Sequence, residues 1–442
     1  MPEEGNSKTR KDPYAPLRYK DFRSYISMRF FFTFAYQMQT TVLGFYVYQL
    51  THKAEYIGYI GLAEVIPAVC VAMFGGYVAD KYEKRKMLLW IFAGVFLSSL
   101  VMGAVTFSAF SQHITLGWIL AVIYAMIFCN GVARAFYGPA VFIVYSNSIP
   151  KELYPIAATW SSSSWYMSAI LGPLIGGFLY GFSDKIMPGL TGITANFVVI
   201  ILFMLISLLV VASLRKYPAT FIPKDNIWKS LAEGLRFVFK TKMMLYAISL
   251  DLFSVLFGGV VALLPIFALD ILKVGSEGLG IMRMASSVGA GLTLIVMTRF
   301  SPMNKPWRNL LIVVAGFGVS IVGFGLSHIF WLSLLFLFLQ GAFDSVSVII
   351  RGTIMQLLTP DEMRGRVSSV NQMFISSSNE FGDFESGMAA KFLGTIPAVL
   401  FGGAMTLGVV TFTYFKTRKM LPLGLNDIHL PEKEEPISPP VA

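Results

Sequence analysis

The chain has 442 residues, of which 55% are hydrophobic and only 14% charged, and its 35 Lys and Arg outnumber 25 Asp and Glu to give a formal charge of +10. Soluble domains carry about 25% charged residues, so this sequence cannot wet a surface of its own size and is expected to be mostly dissolved in lipid. The basic excess sits between apolar runs, which argues against a nucleic-acid partner, and Cys70 and Cys129 both fall inside such runs, which excludes a disulfide framework or CxxC metal site and reads as two small core residues.

Residues 1–23 form a polar, basic tail without the short apolar stretch and small-residue cleavage site of a signal peptide. A bilayer core about 30 Å thick needs about 20 apolar residues at 1.5 Å each. Twelve such spans are predicted, at 24–50, 55–79, 87–109, 115–144, 156–182, 191–213, 243–271, 276–299, 308–328, 330–357, 365–390 and 393–416. The expected organisation is all-α: a six-helix bundle over 24–213, a second over 243–416, and a tail from 417 to 442 whose PEKEEPISPPVA ending reads as disordered. Between the bundles, residues 214–242 place Ile227, Leu231, Leu235 and Phe239 at helical spacing beside Lys229 and Arg236, which predicts an amphipathic helix tethering the halves at the membrane surface. Counting Lys and Arg in alternate connections gives 26 on one side and 4 on the other, so both termini are expected in the cytoplasm.

Sliding the sequence over itself aligns it at an offset of 210 residues. Asn130, Gly131 and Arg134 fall on Gln340, Gly341 and Asp344; Pro150, Lys151, Glu152 and Leu153 fall on Pro360, Asp361, Glu362 and Met363; Gly172 and Gly177 fall on Gly382 and Gly387. One ungapped frame carrying all of these points to duplicated halves related by a pseudo-twofold axis. Two parallel halves around a site at the midplane are the architecture of a secondary transporter.

Gly76, Asp80, Lys81, Lys84 and Arg85, within GYVADKYEKRK, resemble the GxxxD[RK]xGRR signature of the major facilitator superfamily, with Glu83 in place of its second glycine. Gly172, Pro173, Gly176 and Gly177, in GPLIGG of the fifth span, are similar to the core of that family's antiporter motif; small residues there let helices approach closely and Pro173 bends the span. With TPDEMRGRV at 359–367 and SNEFGDFESG at 378–387, the chain resembles the branch that includes the enterobactin exporter and macrolide efflux proteins. The resemblance implies the major facilitator fold, residence in a bacterial inner membrane, and proton-driven export of a bulky organic solute such as a siderophore or drug by a monomer without cofactor. Uptake symport and lysolipid flipping in the same fold are the alternatives, and a non-transporting channel or receptor-like protein is a more distant one.

An ionisable group at mid-span costs about 2.5–3.5 kcal/mol on insertion scales and normally faces a cavity or a partner. The candidates are Glu64, Arg134, Asp251, Asp344, Glu380, Asp383 and Glu385. The resemblance implies that spans one, four, seven and ten line a central cavity, so Arg134 and Asp344, at equivalent repeat positions, are expected to face one another across it. Glu380 and Asp383 are three residues apart on one helix face, which makes simultaneous ionisation unfavourable and suits a proton carrier; pairing with Arg351 is the structural alternative. Asp344, Asp251 and Glu64 are further coupling candidates. Tyr36, Gln37 and Gln39, Trp160 and Trp165 around Ser161 to Ser164, and Asn371 with Gln372 complete a polar and aromatic pocket for a large amphipathic solute. All four histidines lie in loops or the tail, and neither GxxxxGK[ST], HExxH nor GxSxG occurs, so neither an ATP-driven pump, a metal site nor a membrane enzyme is expected.

Overall fold

The computed structural model describes residues 12–107, 113–217, 227–360 and 363–427, without the side chains of 68, 72–81, 184, 227–231 and 426. Regular structure among them is helical. The first half contains α1 (Lys20–Thr51), α2 (Ala54–Lys81), α3 (Lys84–Thr106), α4 (Leu116–Asn147), α5 (Tyr154–Gly181) and α6 (Gly192–Ser213). A linker helix (Ile227–Lys240) leads to α7 (Lys242–Phe257), which resumes as Val260–Ile266 and closes with a π turn at Phe267–Ile271. Then follow α8 (Gly275–Met297), α9 (Pro306–Leu326), α10 (Phe330–Leu357), α11 (Arg364–Leu393) and α12 (Thr395–Lys416).

Nine of these runs, all but α1, α5 and α11, are long and apolar enough to cross a membrane. The other three have 32, 28 and 30 residues but are more polar. Their packing explains why: α5 lies against α8 and α11 against α2 of the opposite half, while α1 is packed between α5 and α6 of its own half, so each is partly screened from lipid. Elsewhere the outer surface exposes Trp90, Trp331, Phe300 and Phe392, an apolar skin that hydrocarbon can cover. Cys70 and Cys129, expected as core residues, are exposed. A lipid-facing position is as apolar as a core position, so composition alone cannot separate them.

The 210-residue offset maps helix contact onto helix contact. A Cβ on Gly131 of α4 would stand 2.6 Å from the Glu64 carbonyl oxygen on α2, and one on Gly341 of α10 2.0 Å from that of Ser286 on α8. Gly172 of α5 meets the Phe34 carbonyl of α1 at 2.9 Å, as Gly382 of α11 meets Val255 of α7 at 2.9 Å. The third pair crosses between halves: Gly177 meets Ser276 of α8 at 2.3 Å, and Gly387 meets Gly58 of α2 at 2.6 Å. Each glycine is therefore kept where two backbones touch, which is how helices associate without a hydrophobic driving force.

Connections gather on two faces: a basic face that begins α1, and a far face holding the α1–α2, α5–α6, α7–α8 and α11–α12 turns. Apolar packing is internal to each half except at the far face, where Phe45, Tyr48 and Ile57 join Val260, Phe267, Leu279 and Ala390 in one cluster. Span seven, expected as continuous, is broken at Gly258–Gly259, because α11 presses into the gap: a Cβ on Gly259 would stand 2.7 Å from the Gly382 carbonyl oxygen. The linker helix packs Leu235 and Val238 on the second half and leaves Phe239 exposed, so its inward face is rotated from the expected stripe. The pull comes from Gly234, which sits against the Arg366 carbonyl, and from the ion pair of Glu233 with Arg366. The side chains of Ile227, Lys229 and Leu231 lie outside the described residues.

Candidate functional site

The mid-membrane charges resolve into two clusters. In the first, Arg134 of α4 donates from one nitrogen, Nη1, to Glu64 Oε1 of α2 at 2.5 Å and to Glu380 Oε1 of α11. The Tyr36 hydroxyl of α1 donates to the same Glu64 oxygen. The two carboxylates are 12% and 8% accessible, whereas the Arg134 side chain retains 42%, so the acids are buried in the seam and the arginine is partly accessible. Gly61 makes this possible: a Cβ there would stand 2.7 Å from the Glu380 carbonyl oxygen and 2.9 Å from Asp383 Cβ, so only glycine lets α11 come close enough for Glu380 to reach Arg134. Glu380 Oε2 is buried without a hydrogen-bond partner. Nearby, Arg283 of α8 donates to Thr41 Oγ1 of α1 at 3.3 Å, and Asp383 lies within its electrostatic reach.

The second cluster belongs to one half. Arg351 of α10 pairs with Asp251 of α7, the two side chains being 8% and 10% accessible, and its Nε donates to Ser347 Oγ at 3.1 Å. Asp344, seven residues before Arg351 on the same helix, makes no ion pair among the described residues. The expected meeting of Arg134 with Asp344 is thus replaced. Each charge finds other company: Arg134 between α2 and α11, Asp344 in the field of Arg351 and Asp251 and within electrostatic reach of Tyr166 of α5. Nor does Arg351 pair with the acids of α11.

An open cavity of about 490 Å³ lies toward the basic face between α1, α4 and α5, and Trp165 and Ser161 are in its wall. Trp160 instead donates to the Pro13 carbonyl at 2.9 Å, pinning the N-terminal segment. Gln37 packs beside Gly172, Gln39 accepts from Ser99 at 2.8 Å inside the first half, Asn371 is half-buried, and Gln372 is exposed with a 3.4 Å bond to Ser376. The surroundings of Gly76 and the side chains of Asp80 and Lys81 lie outside the described residues. Lys84 is fully buried, and Arg85 ties the α2–α3 turn to the Ala212 carbonyl at the end of α6. In the GPLIGG segment, Gly172 and Gly176 pack on α1, while Gly177 and the Pro173 carbonyl meet α8. Sequence reasoning missed Arg29 and Arg283, although both were readable by the same rule, as isolated cations inside apolar runs.

A duplicated bundle with charges clustered at the seam fits one family model, Major Facilitator Superfamily, which matches residues 25–382. The chain belongs to the major facilitator superfamily. It is accordingly an integral membrane protein of a transporter family. It is 23% identical over 335 residues to the enterobactin exporter EntS of Shigella flexneri, covering 74% of this chain and 73% of that protein. It is 24% identical over 417 residues to the uncharacterized MFS-type transporter YkuC of Bacillus subtilis, covering 87% and 90%. Among solved structures it superposes on the D-xylose–proton symporter with a TM-score of 0.69 at 12% identity, covering 92% of this chain and 98% of that one. The nucleoside transporter NupG gives 0.65 at 16% identity, covering 90% and 98%. At these identities the structural likeness shows the fold alone.

Proposed function

We propose that this transporter is a proton-coupled exporter of a bulky organic solute, working by alternating access as a monomer in a bacterial inner membrane. The observation that carries the reading is a single guanidinium held by carboxylates from both halves, Glu64 and Glu380. The charge asymmetry of the connections supports a cytoplasmic location for the basic face and both termini. With the far face sealed by the shared apolar cluster and by the Gly177 and Gly387 contacts, the solute loads from the cytoplasmic side.

The coupling follows from where the charges sit. For the far face to open, α11 must leave α2, and Glu380 then loses Arg134. A bare carboxylate in hydrocarbon is costly, and Asp383 one turn away adds like charge, so taking up a proton from the far side accompanies opening. Closing returns Glu380 to Arg134 and expels the proton on the basic side. Each charge crossing a 100 mV potential contributes about 2.3 kcal/mol, which drives the solute outward. Asp251, Asp344 and Asp383 modulate the field at the two clusters, and Tyr36 orients Glu64.

The test is flux of bulky amphipathic dyes in proteoliposomes under an imposed pH gradient. The expected result is gradient-driven transport by the wild type, and in Glu380→Gln an exchange that continues but no longer responds to the gradient. Equal wild-type rates with and without the gradient would remove proton coupling. Unchanged gradient dependence in both Glu380→Gln and Glu64→Gln would remove the cluster from it.

A further inference from the structure

The wall of the cavity near the basic face holds a cation that nothing in the described chain neutralises. Arg29 of α1 donates to the Tyr25 hydroxyl at 2.8 Å, and among the described residues it has no carboxylate within ion-pair distance. Of the other span arginines, Arg134 and Arg351 are paired with carboxylates, whereas Arg283 donates to Thr41 and is absent from the wall of this cavity. The Tyr25 hydroxyl is itself held, sharing a hydrogen bond of 2.9 Å with Ser161 of α5, so Arg29 is oriented by a fixed phenol rather than by a counter-ion. Guanidinium offers five donors in a rigid fork, and among the described residues only the bond to Tyr25 uses one. A cation at this depth is stable only with a partner or water, and here the cavity supplies the space for one.

The rest of the wall says what kind of partner. Tyr137, Tyr145 and Trp165 surround Arg29 and Tyr25, with the Tyr25 and Tyr145 rings 5.4 Å apart and tilted, and the lining includes no acidic side chain. Flat aromatic faces stack on a ring, a planar guanidinium grips a carboxylate or phenolate bidentately, and about 490 Å³ falls within the range of small-molecule sites. We infer that this cavity is a loading subsite for organic anions that carry a carboxylate or phenolate on an aromatic ring, with Arg29 as the anion anchor. The inference rests on the export reading for its direction, since it places the subsite where a cytoplasmic solute arrives. A cationic solute is rejected there by Arg29, and an aliphatic acid gains the charge contact without the stacking.

The experiment is calorimetric titration of the full chain in neutral detergent with 1-naphthoate, 1-naphthalenemethanol, cyclohexanecarboxylate and 1-naphthylmethylammonium. Binding of 1-naphthoate at least about tenfold tighter than the other three is expected. Arg29→Gln should lose that advantage, Arg29→Lys should keep part of it, and Trp165→Leu should weaken 1-naphthoate while leaving cyclohexanecarboxylate unchanged. If Arg29→Gln does not fold, the Lys and Leu variants decide alone. Equal binding of the alcohol or the ammonium, or undiminished 1-naphthoate binding in the Arg29 variants, overturns the proposal. So does tighter binding of dioleoylphosphatidylglycerol than of 1-naphthoate at Arg29, which would make the occupant a lipid headgroup. The titration needs no gradient, so gradient-driven dye flux without 1-naphthoate binding sinks only this inference, and binding without flux sinks only the proton-coupled one.

Discussion

Two arginines at mid-membrane, Arg134 and Arg351, are both paired with buried acids, yet only one of the clusters lies across the seam. Arg351 and Asp251 come from α10 and α7 of one half and are almost wholly buried, so they can stay paired while the halves rock. Arg134 is shared by Glu64 of its own half and Glu380 of the other, and its side chain is partly accessible, so no movement that parts α2 from α11 leaves the cluster intact. The difference teaches that a buried ion pair is structural when its members move together. It becomes a switch when they must separate and water or a proton can replace one of them.

The largest expected effect is on the immobile pair. Removing one partner of a buried ion pair leaves an uncompensated charge and costs about 3–5 kcal/mol. Arg351→Ala should therefore lower the yield and Tm of extracted protein sharply, and pairing it with Asp251→Leu should restore much of both; a wild-type Tm in the single variant would refute the structural role. Arg134→Gln should do the reverse, abolishing flux while leaving a folded protein. Charge-assisted hydrogen bonds contribute about 1.5–3 kcal/mol each, so losing the one to Glu380 should shift the balance roughly tenfold to hundredfold toward the far-open state. Cross-linking between cysteines placed at 55 and 391 reads that shift as a fall in yield, and an unchanged yield would disconnect Arg134 from the seam.

The duplicated bundle was legible because its signals are local: glycines recur at a fixed offset wherever two backbones must touch, and Gly131, Gly172 and Gly177 each have a counterpart performing the same contact. The partner of Arg134 was not legible. Equivalence in the repeat pointed to Asp344, but the choice depends on how near α11 approaches α2, which Gly61 decides and which changes with conformation. The cysteines and the stripe on the linker helix were misplaced for a related reason, since lipid-facing and packed positions are equally apolar. Arg29 was readable as a cation inside an apolar run, but its lack of a nearby carboxylate among the described residues is seen only in three dimensions.

Smaller effects sharpen the comparison at the seam itself. Gly172→Ala and Gly177→Ala add the same methyl group at two positions of α5 with different surroundings: the first meets α1 at 2.9 Å inside one half, the second meets Ser276 of the other half at 2.3 Å. The first should lower Tm, by an overpacking cost of about 1–3 kcal/mol. The second can relieve its clash by letting the halves part, so it should spare Tm and reduce the cross-link between positions 55 and 391. Equal losses of Tm in both would mean that the seam is as rigid as a half. Smallest of all is Lys391→Gln. Its 3.5 Å pairing with Glu55 bridges the far face, but the ammonium is 40% accessible and the pair is long. Exposed pairs contribute about 0–1 kcal/mol, so flux should change less than about fivefold, and the change should vanish at high salt. A larger, salt-independent loss would show that this outer pair, and not only the buried guanidinium, holds the two halves together.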